Sequence, residues 1–207
     1  MAETTQFTIG AEVRGTDGAL GELTRVVVNP ISKTVTHFLV EPKHRQGLGR
    51  LVPLDLVEGT SGGEVRLHCT KGDFDRLDFA EETSFMPGVD EAYAGYEPGE
   101  VYAWPYFGGN ASVPVTSVAV PVGEVSVRRG DPVHATDGDI GKVEGLVVES
   151  KGHHVSHVLL QEGHLWGRRE VAIPIEAIST VDSGIRLKIT KQEVQNLPRI
   201  DLDRSSS

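Results

Sequence analysis

The 207-residue sequence contains a single cysteine, Cys69. An internal disulfide is thereby excluded, and so is a cysteine-rich metal site. Long apolar runs are missing as well, none approaching the roughly 20 residues that cross a bilayer. The first six residues, Met1–Gln6, have neither the basic stretch nor the apolar core of a secretory signal, so the expected compartment is the cytoplasm. Positive charge is short: 20 Lys and Arg stand against 30 Asp and Glu, for a net charge of −10. No stretch is strongly basic, which argues against direct binding to a nucleic-acid backbone. Neither a glycine-rich phosphate loop ahead of a helix nor a nucleophile–base motif occurs. No cofactor is expected.

Turn-forming residues are plentiful, with 24 glycines and 11 prolines, as befits many short strands. The clearest signal is a repeat. Thr16-Asp17-Gly18-Ala19-Leu20-Gly21 returns as Thr136-Asp137-Gly138-Asp139-Ile140-Gly141, at an offset of 120 residues (16 + 120 = 136). Over residues 10–42 and 130–162, eleven of 33 positions are identical. Each copy has a strand (Phe7–Arg14, Asp131–Ala135) before an Asp-Gly turn, then a long alternating strand (Leu20–Val28, Ile140–Glu149), then a returning strand (Thr34–Glu41, His154–Glu162). Next comes a strand broken at Pro53 or Pro174, because proline cannot donate to a ladder. A closing strand (Glu64–Cys69, Ile185–Ile189) leads to a capping box, Thr70-Lys71-Gly72-Asp73 or Thr190-Lys191-Gln192-Glu193, that opens a short helix. Phe74 and Leu77 should face inward, and Pro198 should end the second helix.

With no helices between the strands, parallel βαβ architecture is excluded. Short strands of this kind bury their edges by closing into small barrels. The pattern Asp-Gly-x-x-Gly-x-Val, an Ile-Pro-hydrophobic-acid-x-Ile element and a capped helix ending in proline resembles the PRC-barrel family. In the second copy the matching residues are Asp137, Gly138, Gly141, Val143, Ile173-Pro174-Ile175-Glu176 and Pro198; in the first they are Asp17, Gly18, Gly21 and Val52-Pro53-Leu54-Asp55, with Asp78 where the proline would be. The fold class the resemblance implies is all-β: two tandem PRC-barrel-like β-barrels, each ending in a short helix. Their expected ranges are 7–82 and 124–201, with an aromatic, Gly- and Pro-rich linker over 83–123 and a disordered tail over 202–207. The family also occurs in the cytoplasmic part of a photosynthetic reaction-centre subunit and in a ribosome maturation factor. It implies docking to a protein partner rather than catalysis: an interaction or assembly adaptor. The alternatives are a ribosome-associated accessory factor and an enzyme with a site between the barrels. A homo-oligomer is compatible with all three.

The copies differ in two stretches, and these hold the candidate binding residues. Six of the twelve aromatics lie between 93 and 107, among them Tyr102, Trp104, Tyr106 and Phe107; Tyr and Trp are enriched at interfaces. The loop Gly163–Arg169 places His164, Trp166, Arg168 and Arg169 between strands, a set suited to an acidic peptide or another anion. Burial of these rings within the fold is the competing reading. Val113–Val122 alternates and is expected to add a strand to the second barrel. His153, His154, His157 and His164 invite a metal reading, but His154 and His157 would fall on opposite faces of a strand, and His37 recurs as His157 in a structural position. Cys69 aligns with Ile189 and should be a small buried hydrophobe, and Asp17 and Asp137 are explained by turn chemistry.

Overall fold

A computed structural model describes residues 4–43, 49–87, 112–118, 120–162, 170–181 and 184–197. Sixteen strands and two short helices occupy them. The first half runs β1 (Thr4–Thr8), β2 (Glu12–Gly15), β3 (Gly18–Asn29), β4 (Thr34–Glu41), β5 (Arg50–Pro53), β6 (Val57–Ser61), β7 (Glu64–Leu67), α1 (Lys71–Phe74) and β8 (Glu81–Pro87). The second half runs β9 (Ser112–Val118), β10 (Val125–Arg128), β11 (Pro132–Ala135), β12 (Gly138–Glu149), β13 (Val155–Glu162), β14 (Glu170–Pro174), β15 (Ile178–Val181), β16 (Ile185–Leu187) and α2 (Lys191–Gln195). The fold is all-β.

Two equivalent sheets carry the architecture. One is ordered β5-β4-β3-β2-β7-β6 and the other β14-β13-β12-β11-β16-β15, so the repeat legible in the sequence is a repeat of strand order. Pairing is antiparallel except between β2 and β7 and between β11 and β16, which run parallel. Pro53 ends β5, and the chain takes one 3-10 turn at Leu54–Leu56 before β6 at the opposite edge of the sheet. A three-residue turn linking the two edges curls the sheet round on itself. Pro174 and Ile175–Ala177 do the same in the second half. The break at proline is as expected, but the strands that follow it, β6 and β15, are additional to those read from the sequence.

The seventh strand of each sheet comes from the other half. Residues 7–14 read as a single opening strand of the first unit, and this is corrected. β1 pairs antiparallel with β12, Phe7 opposite Leu146, whereas β2 pairs with β3. Reciprocally, β10 pairs with β3, Val127 opposite Val26. These pairs are images of one another under the 120-residue offset (7 + 120 = 127, 26 + 120 = 146). The crossing occurs at Gly10, where φ is 103°, and at Gly130, where it is 89°. The Ile9 amide donates to Glu144 O of the second half, and the next amide, Gly10, donates to Leu23 O of the first. Only glycine takes these φ values without strain, so the chain changes sheets where side chains are missing.

Val113–Val122 is the second correction. It adds nothing to the second barrel: β9 pairs with β8 in a separate two-stranded ribbon, with Pro87 opposite Ser112. The strand that does precede the second unit is β10, and it completes the first sheet.

Burial explains the exchange. Apolar residues of both halves form one contiguous cluster, from Ile9, Val26 and Phe38 to Leu146, Val158 and Ile173. Phe7, carried into the second sheet by β1, meets Phe38 of the first edge to face, their centroids 4.8 Å apart at 66°. Such a pair adds about 0.5–1.5 kcal/mol beyond its buried area. At β12, a Cβ on Gly145 would stand 2.3 Å from Phe7 O, so β1 seats only against a residue with no side chain.

Both capping boxes are present. Thr70 accepts from the Asp73 amide while Asp73 accepts from the Thr70 amide, and Thr190 and Glu193 do likewise. Phe74 is buried as expected and Leu77 packs partly against the core. Cys69 is buried at 5% exposure, although it lies two residues past the end of β7 rather than on the strand. Pro198 lies outside the described residues.

Candidate functional site

The seam between the halves is the natural place to look, because it gathers polar side chains from elements far apart in the chain. Its centre is the pair of turns following β3 and β12. Asn29 Oδ1 accepts from the Ile31 and Ser32 amides, drawing the first turn tight. Lys33 and His153 then adopt left-handed conformations, φ 57° and 56°, at equivalent positions (33 + 120 = 153). From there Val35 N donates to His153 O at 2.9 Å and Val155 N donates to Lys33 O at 2.8 Å. Thr34 and His154 thus bridge the halves about a local two-fold, the relation of an isologous dimer interface. His154 faces Thr34 in this backbone bridge and lies one residue ahead of β13, so the expectation that it shares a strand with His157 is corrected.

Beside the bridge lies an open groove of about 350 Å³. Thr34, Thr36, His37 and Asp55 line it from the first half and His153 from the second. Glu124, just ahead of β10, accepts a 2.6 Å hydrogen bond from Thr36 Oγ1. His37 Nδ1 stands 3.8 Å from the same carboxylate oxygen, beyond hydrogen-bonding distance, and is buried without another partner. A smaller hollow of about 90 Å³, lined by Thr5, Phe7, Leu54, Val148 and His153, adjoins where β1 enters.

The equivalent seam differs in its charges. Position 4, the image of 124, is Thr, so His157 lacks the carboxylate that faces His37. Burial holds the His157 ring below its ordinary pKa, with Glu176 opposing in part. Burial thus disfavours the charged form of this ring. Burial likewise raises the Cys69 thiol, which disfavours the thiolate a nucleophile needs.

The repeated carboxylates hold the frame together. Asp17 Oδ1 accepts from Lys71 N at 2.9 Å and Asp137 Oδ1 from Lys191 N at 2.9 Å, so each turn aspartate ties its turn to the first turn of a helix 54 residues away. Sequence reasoning assigned these residues to the turns alone; their second bond depends on where the helix lands. Asp73 and Glu193 are held below the usual carboxylate range, Asp73 first by the Thr70 hydroxyl and Glu193 first by the Thr190 amide. Glu12 is lowered by its hydrogen bond to Lys43. Among the described residues no three His, Cys, Asp or Glu side chains converge in a metal-binding arrangement.

With two matched sheets, bent at proline and closed by capped helices, the geometry can be set against known families. A family model, the PRC-barrel domain, matches residues 117–194. Over this stretch the chain is similar to a PRC-barrel domain. No curated protein matches the chain. The match spans β10 through most of α2, so it takes in the strand that this half of the chain gives to the first sheet. No helix among the described residues is long and apolar enough to cross a membrane.

The binding residues singled out in the sequence, Tyr102, Trp104, Tyr106 and Phe107 together with His164, Trp166, Arg168 and Arg169, lie outside the described residues. The strands that flank each segment are paired with one another. The β8–β9 ribbon sets Pro87 beside Ser112, at the two ends of the aromatic segment. Gln161 pairs with Glu170 across the β13–β14 hairpin, at the two ends of the Trp166 loop. The seam residues Thr36, His37 and Glu124 were not singled out. His37 was visible only as a repeat of His157, and nothing local ties Glu124 to residues 87 and 88 positions away.

Proposed function

We propose that this chain is a non-catalytic docking or assembly protein built from two PRC-barrel units, the first unit being a second copy of the matched one. PRC-barrel domains are in general non-catalytic and often mediate protein interactions. The observation that carries the reading is the use of the repeated carboxylates. Two of the acidic pairs that recur in both copies, Asp17 with Asp137 and Asp73 with Glu193, are bonded to backbone amides at a helix start. What the copies share is framework; what they do not share is free to recognise a partner.

On this reading, Tyr102, Trp104, Tyr106 and Phe107 and the loop residues His164, Trp166, Arg168 and Arg169 form the contact surface. Aromatic and arginine side chains dominate the energetics of protein interfaces. The arginines suit a partner with exposed carboxylates, which their planar guanidinium groups bind in pairs. The test is affinity capture with the wild-type chain, with Trp166→Ala/Arg168→Ala and with Tyr102→Ala/Trp104→Ala. A partner recovered by wild type should be lost from at least one variant whose thermal melt is unchanged. Equal recovery by all three would remove these residues from the contact surface.

A further inference from the structure

The strand pairings fit a second copy of this chain as partner. We propose that the halves exchange between copies, β1–β8 of one closing on β9–β16 of another. Among the described residues, the backbone contacts that join the halves are β1 on β12 with β10 on β3, the paired hydrogen bonds at residues 33–35 and 153–155, and the β8–β9 ribbon. In each set one member precedes residue 88 and the other follows residue 111. Every one of these contacts is therefore available, unchanged, to the second half of another copy. Only the connection from 88 to 111 has to run elsewhere.

That connection is 24 residues long (111 − 88 + 1) and reaches at most about 80 Å when extended, enough to pass from one assembly to a neighbour. Reciprocal exchange of this kind is a low-cost route to a dimer, since no new contact is needed. The tether gives the intrachain partner an effective concentration of about millimolar, so the single-chain form prevails in dilute solution. The exchanged form is reached by refolding at high concentration and is then held by the slow unfolding of a shared core. A dimer would show every contact segment twice, which raises avidity for a multivalent partner.

Thr4 and Glu149 are opposite one another at the outer end of the β1–β12 pair, within range of a disulfide once both are cysteine. One chain carrying Thr4→Cys and another carrying Glu149→Cys are unfolded together in guanidinium and refolded at increasing concentration. Mild oxidation follows refolding, when the native Cys69 is buried. The expected product is a disulfide-linked pair containing one copy of each chain, its yield rising several-fold for each tenfold increase in concentration. Light scattering should give twice the chain mass for wild type refolded at high concentration and the single-chain mass for wild type refolded dilute. A single chain bearing both cysteines should close internally when refolded dilute. If it closes and the mixed chains never cross-link, the exchange between copies is excluded; a doubled mass without the cross-link signifies a surface dimer and excludes it equally. Failure of the double-cysteine chain to close would overturn the β1–β12 pairing and the proposal with it.

Discussion

At the scale of single residues, the glycines at the crossings and the ring of Phe7 govern the exchange. Gly10→Ala and Gly130→Ala each force a side chain into positive φ where the backbone passes between sheets. We expect each to cost about 1–3 kcal/mol, the usual range for stored backbone strain, read as a lower midpoint in urea at unchanged slope. Gly145→Ala meets Phe7 O directly. It should release β1, so that the amides of Thr4–Thr8 lose protection from hydrogen exchange before the rest of the chain does. Phe7→Ala removes a ring 4% exposed and its partner contact with Phe38, for an expected loss of about 3–5 kcal/mol. The caps are worth less: Thr190→Ala should cost about 1 kcal/mol, because the Glu193 amide loses its acceptor.

At the scale of elements, the titrating groups sit at helix starts and along β13, and their shifts set a pH profile. His157 is lowered in the folded state from an ordinary value of 6.5. Between that value and its folded pKa the unfolded chain binds more protons, so stability is full above pH 6.5 and falls as pH drops below it. Asp73 and Glu193 are lowered from ordinary values of 3.8 and 4.5. Their contribution is present above those values and is lost as pH falls further. Urea midpoints measured from pH 8 to pH 3 should therefore decline in two stages, and His157→Gln should remove the first while leaving the second. A profile flat down to pH 5 in the wild type would contradict the buried state of this ring. The elements themselves were largely readable. Period-two alternation located β3, β4, β12 and β13, Asp-Gly located the turns, and the Thr-x-x-acid pattern located both helix starts. Each is a signal carried within a few residues of the structure it specifies. β6 and β15 escaped notice because Val57–Ser61 and Ile178–Val181 are short and only half-buried, with too little alternation to stand out.

At the scale of the whole molecule, the described residues of the two halves share one core. Phe7 and Val127 each fill the other half's sheet, and the buried residues form one cluster. Thermal unfolding should accordingly be a single transition in which calorimetric and van't Hoff enthalpies agree, where two independent barrels would give two transitions or a ratio well above one. Deleting residues 1–8 should lower the stability of the entire chain and open the edge of β12 at Gly145–Glu149, still paired with β13 on its other side, to self-association.

The sequence by itself determined that this is an all-β chain made twice to one plan, with its turns, proline bends and capped helices in order. Those features depend on the conformational limits of Gly, Pro and Asp and on which face of a strand is apolar, and all of these are local. Only the tertiary structure decided which sheet each first strand joins. β1 and β10 carry similar short alternating patterns, and alternation says which side of a strand is buried without saying against whom. The choice rests on contacts 88 to 139 residues apart: Glu124 with Thr36, Val127 with Val26, and Phe7 with Gly145 and Leu146, where a missing side chain on β12 makes room for a backbone from the other end of the chain.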